Sequence, residues 1–180
     1  MKIIVVGAGK VGYSVAKILS EEGHDITVID RDPETITHLS NELDVICVEG
    51  SATNHETLLG AGAAEADLLM AATQQDEVNM VCGITARKLG TKHVIARIRD
   101  TEYLRQTEFL REVLGLSITI NPEYECAKEI ARILRFPSAA RVDTFSKGSV
   151  EIVEHRVREH GKLDGMQLKD LSSVCGAKVL

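Results

Sequence analysis

The residues best suited to chemistry stand at the start of the chain. Gly7-Ala8-Gly9-Lys10-Val11-Gly12 sets three glycines at G-x-G-x-x-G spacing, and Asp30 follows 18 residues after Gly12. Gly7 permits a tight strand-to-helix turn, Gly9 lets backbone approach a pyrophosphate, and Gly12 lets a helix sit close on a sheet. Amides at the start of that helix then point at the phosphates, with the macrodipole adding favourable potential. A carboxylate at Asp30 can accept both hydroxyls of a ribose. The chemistry these residues suit is recognition of a nucleotide.

Such a site works only if a buried strand and a helix flank the turn. Ile3-Ile4-Val5-Val6 is an unbroken apolar run of the kind that fills a strand buried on both faces. Val11, Val15, Ile18 and Leu19 then recur at helical spacing up to Gly23, and Ile26 to Ile29 forms a second strand ending on Asp30. Asp32-Pro33 reads as an N-cap with proline at the first helical position, opening a helix to about Asn41 or Glu42. Val45 to Val48 is a third strand, leading into Glu49-Gly50-Ser51-Ala52-Thr53, and a short helix around Thr57 to Ala61 closes at Gly60 and Gly62. Leu68 to Ala72 is a fourth strand ending at Thr73, followed by a helix from Gln75 to Leu89 that Gly90 terminates. His93 to Arg97 is a fifth strand, Asp100 caps one helix carrying Tyr103, Leu104, Leu110 and Leu114, and Ile118 to Ile120 is a sixth strand. This alternation predicts an α/β fold, a Rossmann-like doubly wound parallel sheet. It is complete by about residue 120, which leaves no room for an inserted catalytic domain.

The helix from Pro122 differs from its predecessors. Cys126, Ala127, Ile130, Ala131, Ile133 and Leu134 cover about half its circumference. Packing on one sheet needs a stripe only somewhat over 100° wide. The surplus fits either a second subunit or the segment that follows in the same chain. Phe136-Pro137-Ser138 breaks the alternation, and Arg141 to Phe145 with Val150 to Val157 reads as a β-hairpin turning at Ser146-Lys147-Gly148-Ser149. A Leu163-x-Gly165-x-x-Leu168-x-x-Leu171 element follows, then a strand-like Ala177-Lys178-Val179-Leu180. The expected domains are a nucleotide-binding domain at 1–136 and, at 137–180, the start of a small α+β C-terminal subdomain. An unpaired strand at Leu180 suggests the front part of a longer polypeptide.

Composition narrows the classes. The 180 residues carry a net charge of -6, with no lysine/arginine run and only three Tyr and three Phe, which argues against nucleic acid. No apolar run approaches the roughly 18 residues that span a bilayer, and Lys2 precedes only four apolar residues before Gly7, unlike a signal peptide. A cytoplasmic location without direct membrane insertion is expected. Cys47, Cys82, Cys126 and Cys175 lie far apart with no C-x-x-C and no paired histidines, so they read as buried reduced thiols, with no metal site.

Several segments in order resemble one family: the glycine turn, Asp30-Arg31-Asp32, Glu49-Gly50-Ser51-Ala52-Thr53, Ala72-Thr73-Gln74-Gln75-Asp76-Glu77-x-Asn79, Ala96-Arg97-Ile98-Arg99-Asp100 and Asn121-Pro122-Glu123. This is similar to the regulator-of-potassium-conductance (RCK) domain, and most closely to the regulatory subunits of Trk-type potassium-uptake systems. The resemblance covers about residues 1 to 136. It implies a non-catalytic, peripheral protein on the inner face of the cell membrane that binds NAD(H) or ATP/ADP. Such a protein gates a membrane-embedded potassium transporter or channel through rearrangement of a dimer or tetramer. It implies phosphate contacts from Gly7 to Val11, adenosine ribose on Asp30, and Ser51 and Ala52 beside the adenine. Thr73, Gln74 and Arg97 would line the remainder. Lys10 would stand near terminal phosphates, and Glu123 would reach a neighbouring subunit's nucleotide. Ser51 departs from the family's frequent aspartate.

Each assignment has a plainer counterpart. Asp32 serves equally as the N-cap before Pro33, Thr73 as a partner for loop amides, and Arg97 as the partner of Asp100 or another acid. Glu123 is favourable in a helix's first turn without any ligand, whereas Lys10 in a first turn is out of place unless an anion is bound. Asp30 opposes a 2′-phosphate and so NADP, although Arg31 softens that. NAD(H) is favoured over ATP/ADP because Lys10 is a weaker triphosphate clamp than a bidentate arginine. The alternative function is the nucleotide-binding domain of an NAD-dependent dehydrogenase. It would need an acid/base pair, and six scattered histidines with no Tyr-x-x-x-Lys pair do not supply one.

Overall fold

The computed structural model describes residues 1–135, 139–145, 150–167 and 169–171. Two compact units make it up, Met1–Tyr124 and Glu125–Leu180. That division falls ahead of the boundary at 136 expected from the sequence.

The first unit is a six-stranded sheet flanked by helices. Its strands are β1 (Lys2–Val6), β2 (Asp25–Asp30), β3 (Ile46–Glu49), β4 (Leu68–Ala71), β5 (His93–Arg97) and β6 (Ile118–Ile120). They lie in the order β3-β2-β1-β4-β5-β6, every pair parallel. Strand order therefore reverses between β1 and β4, and a crevice opens there at the carboxyl ends of the strands. The helices are α1 (Lys10–Glu21), α2 (Pro33–Glu42), α3 (His55–Gly60), α4 (Asp76–Leu89), α5 (Thr101–Arg105) and α6 (Thr107–Leu114).

Alternation along the strands assigns the two faces. Ile3 and Val5, with Ile26 and Val28, pack under Ala16 of α1 and Leu39 of α2. Ile4 and Val6, with Leu69, Ala71, Val94 and Ala96, pack under Leu58 of α3 and Cys82 and Ala86 of α4. β1 is thus covered on both sides, as its apolar run requires.

The helix expected after Asp100 is two helices. Gln106 donates to Tyr103 O at 3.0 Å, an i−3 bond that tightens the last turn of α5. With φ at -112° it leaves the helical region before its own carbonyl accepts from Leu110 and opens α6.

Pro122–Arg135 forms α7, with none of its residues buried. In the second unit β7 (Ala139–Phe145) and β8 (Val150–His155) pair antiparallel, in the expected hairpin. The turn at Ser146–Ser149, the break at Phe136–Ser138, Leu168 and the strand expected at Ala177–Leu180 lie outside the described residues. The reading of the cysteines as buried holds for Cys82, whose thiol burial pushes up to about 12. It does not hold for Cys126, which stands exposed on α7, while Cys47 is half-buried and Cys175 is outside the described residues. Among the described residues no helix is long and apolar enough to cross a membrane.

Candidate functional site

The glycine turn joins β1 to α1 at the crevice. Gly7 donates to Ile29 O at 2.8 Å and has φ +88°, and a Cβ there would lie 3.0 Å from Thr73 Cα and N. A Cβ on Gly12 would fall 1.8 Å from Gly7 O. The fold itself demands both glycines. Gly9 is different. It is exposed, its φ of -64° suits any residue, and a Cβ there would meet nothing within 4 Å.

Gly9 is also the N-cap of α1. No side chain caps this end and no acid stands in its first turn; Lys10 stands there instead, exposed. By contrast, α2, α3 and α5 are capped by Asp32, Asn54 and Asp100. The start of α1 is thus left with orphan amides and a positive end that an anion would satisfy.

A cavity of about 370 Å³ sits over this turn, within the range of small-molecule sites. Gly7 and Gly9 form its floor with Val6. One wall is Ile29, Asp30, Arg31, Thr35, Gly50 and Ala52; the other is Ala72, Thr73, Gln74, Gln75 and Val78. Thr35, Gly50, Gln75 and Val78 were not picked out from the sequence as site residues, although Gly50 and Gln75 stand inside the segments that carry the family resemblance.

Asp30 is already engaged at both oxygens. It accepts from the backbone N–H of Ala8 at 2.6 Å and of Asp32 at 3.0 Å, tying the glycine turn to the start of α2. An ionised carboxylate has about four acceptor sites, so capacity for two hydroxyls remains. Asp32 instead turns to its own helix, accepting from Glu34 N at 3.2 Å and Thr35 N at 3.3 Å. The Thr35 hydroxyl bond, opposed by burial and helped by these amides, holds the Asp32 carboxyl below its ordinary value. Ser51 shares a hydrogen bond with the Thr53 hydroxyl at 2.8 Å and does not line the cavity; its neighbour Ala52 does.

The second wall is fastened from behind. Thr73 donates its N–H and hydroxyl to Asn79 Oδ1 at 2.9 Å and 2.7 Å. Asn79 Nδ2 donates to Thr73 O at 3.2 Å and to Arg97 O at 2.8 Å. Arg97 does not line the cavity. It is 7% exposed, donates through Nη1 to Thr73 O at 3.2 Å, and pairs through Nη2 with Glu123. The partner of Arg97 is therefore Glu123 of the same chain, and Asp100 caps α5. Burial would raise the Glu123 carboxyl, but its own backbone amide and the Arg97 guanidinium bring it below its ordinary value. Asp76 is buried as well; its Oδ2 accepts from Arg99 N and Asp100 N, each at 2.8 Å, fixing the loop after β5.

Of the residues expected at the site, Gly7, Gly9, Asp30, Arg31, Ala52, Thr73 and Gln74 line one cavity. Ala8, Val11 and Gly12 build the turn beneath it, and Lys10, Asp32, Ser51, Arg97 and Glu123 stand outside its lining.

The fold has counterparts among known proteins. Residues 3–122 match the model of the TrkA-N domain. The chain is 40% identical over 171 residues to the Trk system potassium uptake protein TrkA homolog of Archaeoglobus fulgidus, covering 95% of this chain and 39% of that one. It therefore spans about two-fifths of that relative's length. Two solved structures share the fold. The Shewanella denitrificans Kef CTD in AMP-bound form aligns with TM-score 0.62 at 22% identity, covering 78% of this chain and 84% of that one. The GsuK channel bound to NAD aligns with TM-score 0.58 at 23% identity, covering 79% and 24%. The relatives are named as potassium-uptake proteins and not as enzymes. With an all-parallel six-stranded sheet, a glycine turn at its switch point and a family match over most of its length, the chain belongs to the TrkA-N domain family.

Proposed function

We propose that this chain is the nucleotide-sensing part of a cytoplasmic regulatory subunit, peripheral on the inner membrane face, that gates a potassium transporter or channel. NAD(H) is the favoured ligand and ATP/ADP the alternative. The observation that carries the reading is Gly9: a glycine that its own fold does not require, at the uncapped start of α1, facing open space under a cavity. A pyrophosphate lying against that backbone gives the glycine its reason and satisfies the orphan amides. Asp30 then takes the adenosine ribose, with Ala52 beside the base, and Thr73 and Gln74 take what extends past the phosphates. The ligands of two fold neighbours, NAD in one and AMP in another, support an adenine nucleotide.

A regulatory role fits the lining better than hydride chemistry does. The second wall offers Ala72, Thr73, Gln74, Gln75 and Val78, none of which exchanges a proton near neutrality. Ligand binding biases an assembly only through contacts that differ between its states. Self-association as a dimer or tetramer is supported by α7, whose Ile130, Ile133 and Leu134 are 53%, 58% and 74% exposed. Lys10 and Glu123 are the candidates for contacts across such an assembly; Glu123 pairs with Arg97 through one oxygen, which leaves the other available.

Calorimetric titration of the purified chain with NADH and with ATP tests the ligand. Saturable binding that Asp30→Ala weakens by about tenfold or more, from the loss of charge-assisted bonds, is expected. Absence of binding and of thermal stabilisation at millimolar nucleotide would overturn the reading.

A further inference from the structure

Asn79 sits wholly buried in the first turns of α4, one step behind the cavity. A buried carboxamide is costly unless its bonds are made, and this one makes all four that its chemistry allows: two accepted, two donated. Every one goes to the carboxyl ends of β4 and β5, three to Thr73 and one to Arg97. Arg97 adds its own bond to Thr73 O. On its front Thr73 faces the glycine turn, so closely that a Cβ on Gly7 would come within 3.0 Å of its Cα and N. Its place in the cavity wall lies between the glycine turn and Asn79.

The Asp30 wall has a separate anchor. Asp30 is fixed by the amides of Ala8 and Asp32, and no bond links that wall to Asn79.

We propose that Asn79 is a positioning residue for the part of a dinucleotide that extends beyond its adenylate. Without lining the cavity, it holds Thr73 and Arg97 in the register at which the β4 wall receives the second phosphate and ribose. The adenylate itself binds independently of it. The proposal rests on the nucleotide reading above and adds a division of labour between the two walls.

The test compares NADH with AMP, which share the adenylate and differ in the second half. Asn79→Asp keeps the size and the acceptor for Thr73 but turns the donor into an oxygen facing two carbonyls, so that Thr73 is pushed from its place. Isothermal titration of wild type and variant, with circular dichroism to confirm folding, is expected to show NADH weakened about tenfold or more and AMP changed less than about twofold. A merely structural role would move both ligands alike. Equal loss for both, no loss for either, or a wild type that binds NADH no tighter than AMP overturns the assignment of Asn79. A wild type that binds neither nucleotide overturns the functional reading itself and the proposal with it. If Asn79→Asp does not fold, Thr73→Val removes only the hydroxyl and leaves the backbone bonds to Asn79. A loss confined to NADH is then expected, and equal loss for NADH and AMP, or none, overturns the proposal.

Discussion

Helices α4 and α7 are each 14 residues long, and they could hardly be used more differently. α4 buries Asp76, Asn79, Cys82, Gly83 and Ala86, a narrow stripe at helical spacing. Its residues are small because the sheet is close: a Cβ on Gly83 would lie 2.7 Å from Leu116 Cδ2 and 3.0 Å from Val94 Cγ1. α7 buries nothing, although its apolar arc is wider and its side chains larger. Ion pairs Lys128–Glu125 and Arg132–Glu129 occupy its other side. The difference teaches that apolar width alone does not say where a helix packs. The stripe of α4 matches a surface supplied by its own sheet. Ile130, Ile133 and Leu134 on the arc of α7 stand exposed, and the proposed self-association would cover them.

The cysteines offer the largest contrast. Cys82 is buried, its thiol pushed up to about 12, whereas Cys126 is exposed. Alkylation of the native chain at pH 8 is expected to modify Cys126 on the order of 10³-fold faster than Cys82. Peptide mapping after timed iodoacetamide treatment measures this, and comparable rates would mean that α4 does not pack as described. Next comes assembly. Joint replacement Ile133→Glu and Leu134→Glu removes two apolar anchors, each worth about 1.5–3 kcal/mol when buried. The self-association constant is expected to fall by about a hundredfold or more in sedimentation experiments. A wild-type chain that stays monomeric, or a variant that assembles unchanged, would leave the face of α7 unexplained by a second copy.

A smaller effect separates the two helices within one subunit. Ala86→Leu overfills the layer between α4 and the sheet, where Ala86 has no exposure, and should cost about 1–3 kcal/mol in urea unfolding. Ala131→Leu on exposed α7 should stay within about 0.5 kcal/mol. The smallest effect concerns alkaline pH. The folded Cys82 thiol holds its proton well above the range of an unfolded thiol, so its contribution is intact below about pH 8.5. Between there and about 12 the unfolded chain gives up that proton first and stability declines. By pH 9.5 the decline attributable to Cys82 should reach about 1 kcal/mol. Urea midpoints for Cys82→Ala should therefore fall less steeply with pH than those of wild type.

Much of this organisation could be read from the residues. The run Ile3–Val6 specified a strand covered on both faces, and the glycine spacing with Asp30 located the turn and the wall beside it. Periodicity reports which face a side chain occupies, but not what stands opposite. Cys126 shares an arc with Ile130 and Ile133 and stands exposed, and its spacing from the other cysteines carried no sign of that. The break at Gln106 carried no glycine or proline to announce it. Asn79 looked like a motif residue without a task, because its partner Arg97 lies 18 positions away and meets it only once β4 and β5 are adjacent. Thr35 was obscured in a similar way, its place in the wall depending on how α2 returns toward the turn.

The loop between β1 and α1 separates the demands of the fold from those of the proposed ligand. Replacing Gly7 or Gly12 damages the scaffold and the signal together, and the resulting defect says little about either. At position 9 the two come apart. Under the proposed function, a methyl group there is expected to leave the fold intact, since it meets nothing within 4 Å, while occupying the space proposed for a phosphate. On that reading Gly9→Ala is expected to give a separation-of-function allele, a domain that folds as before but no longer binds the nucleotide.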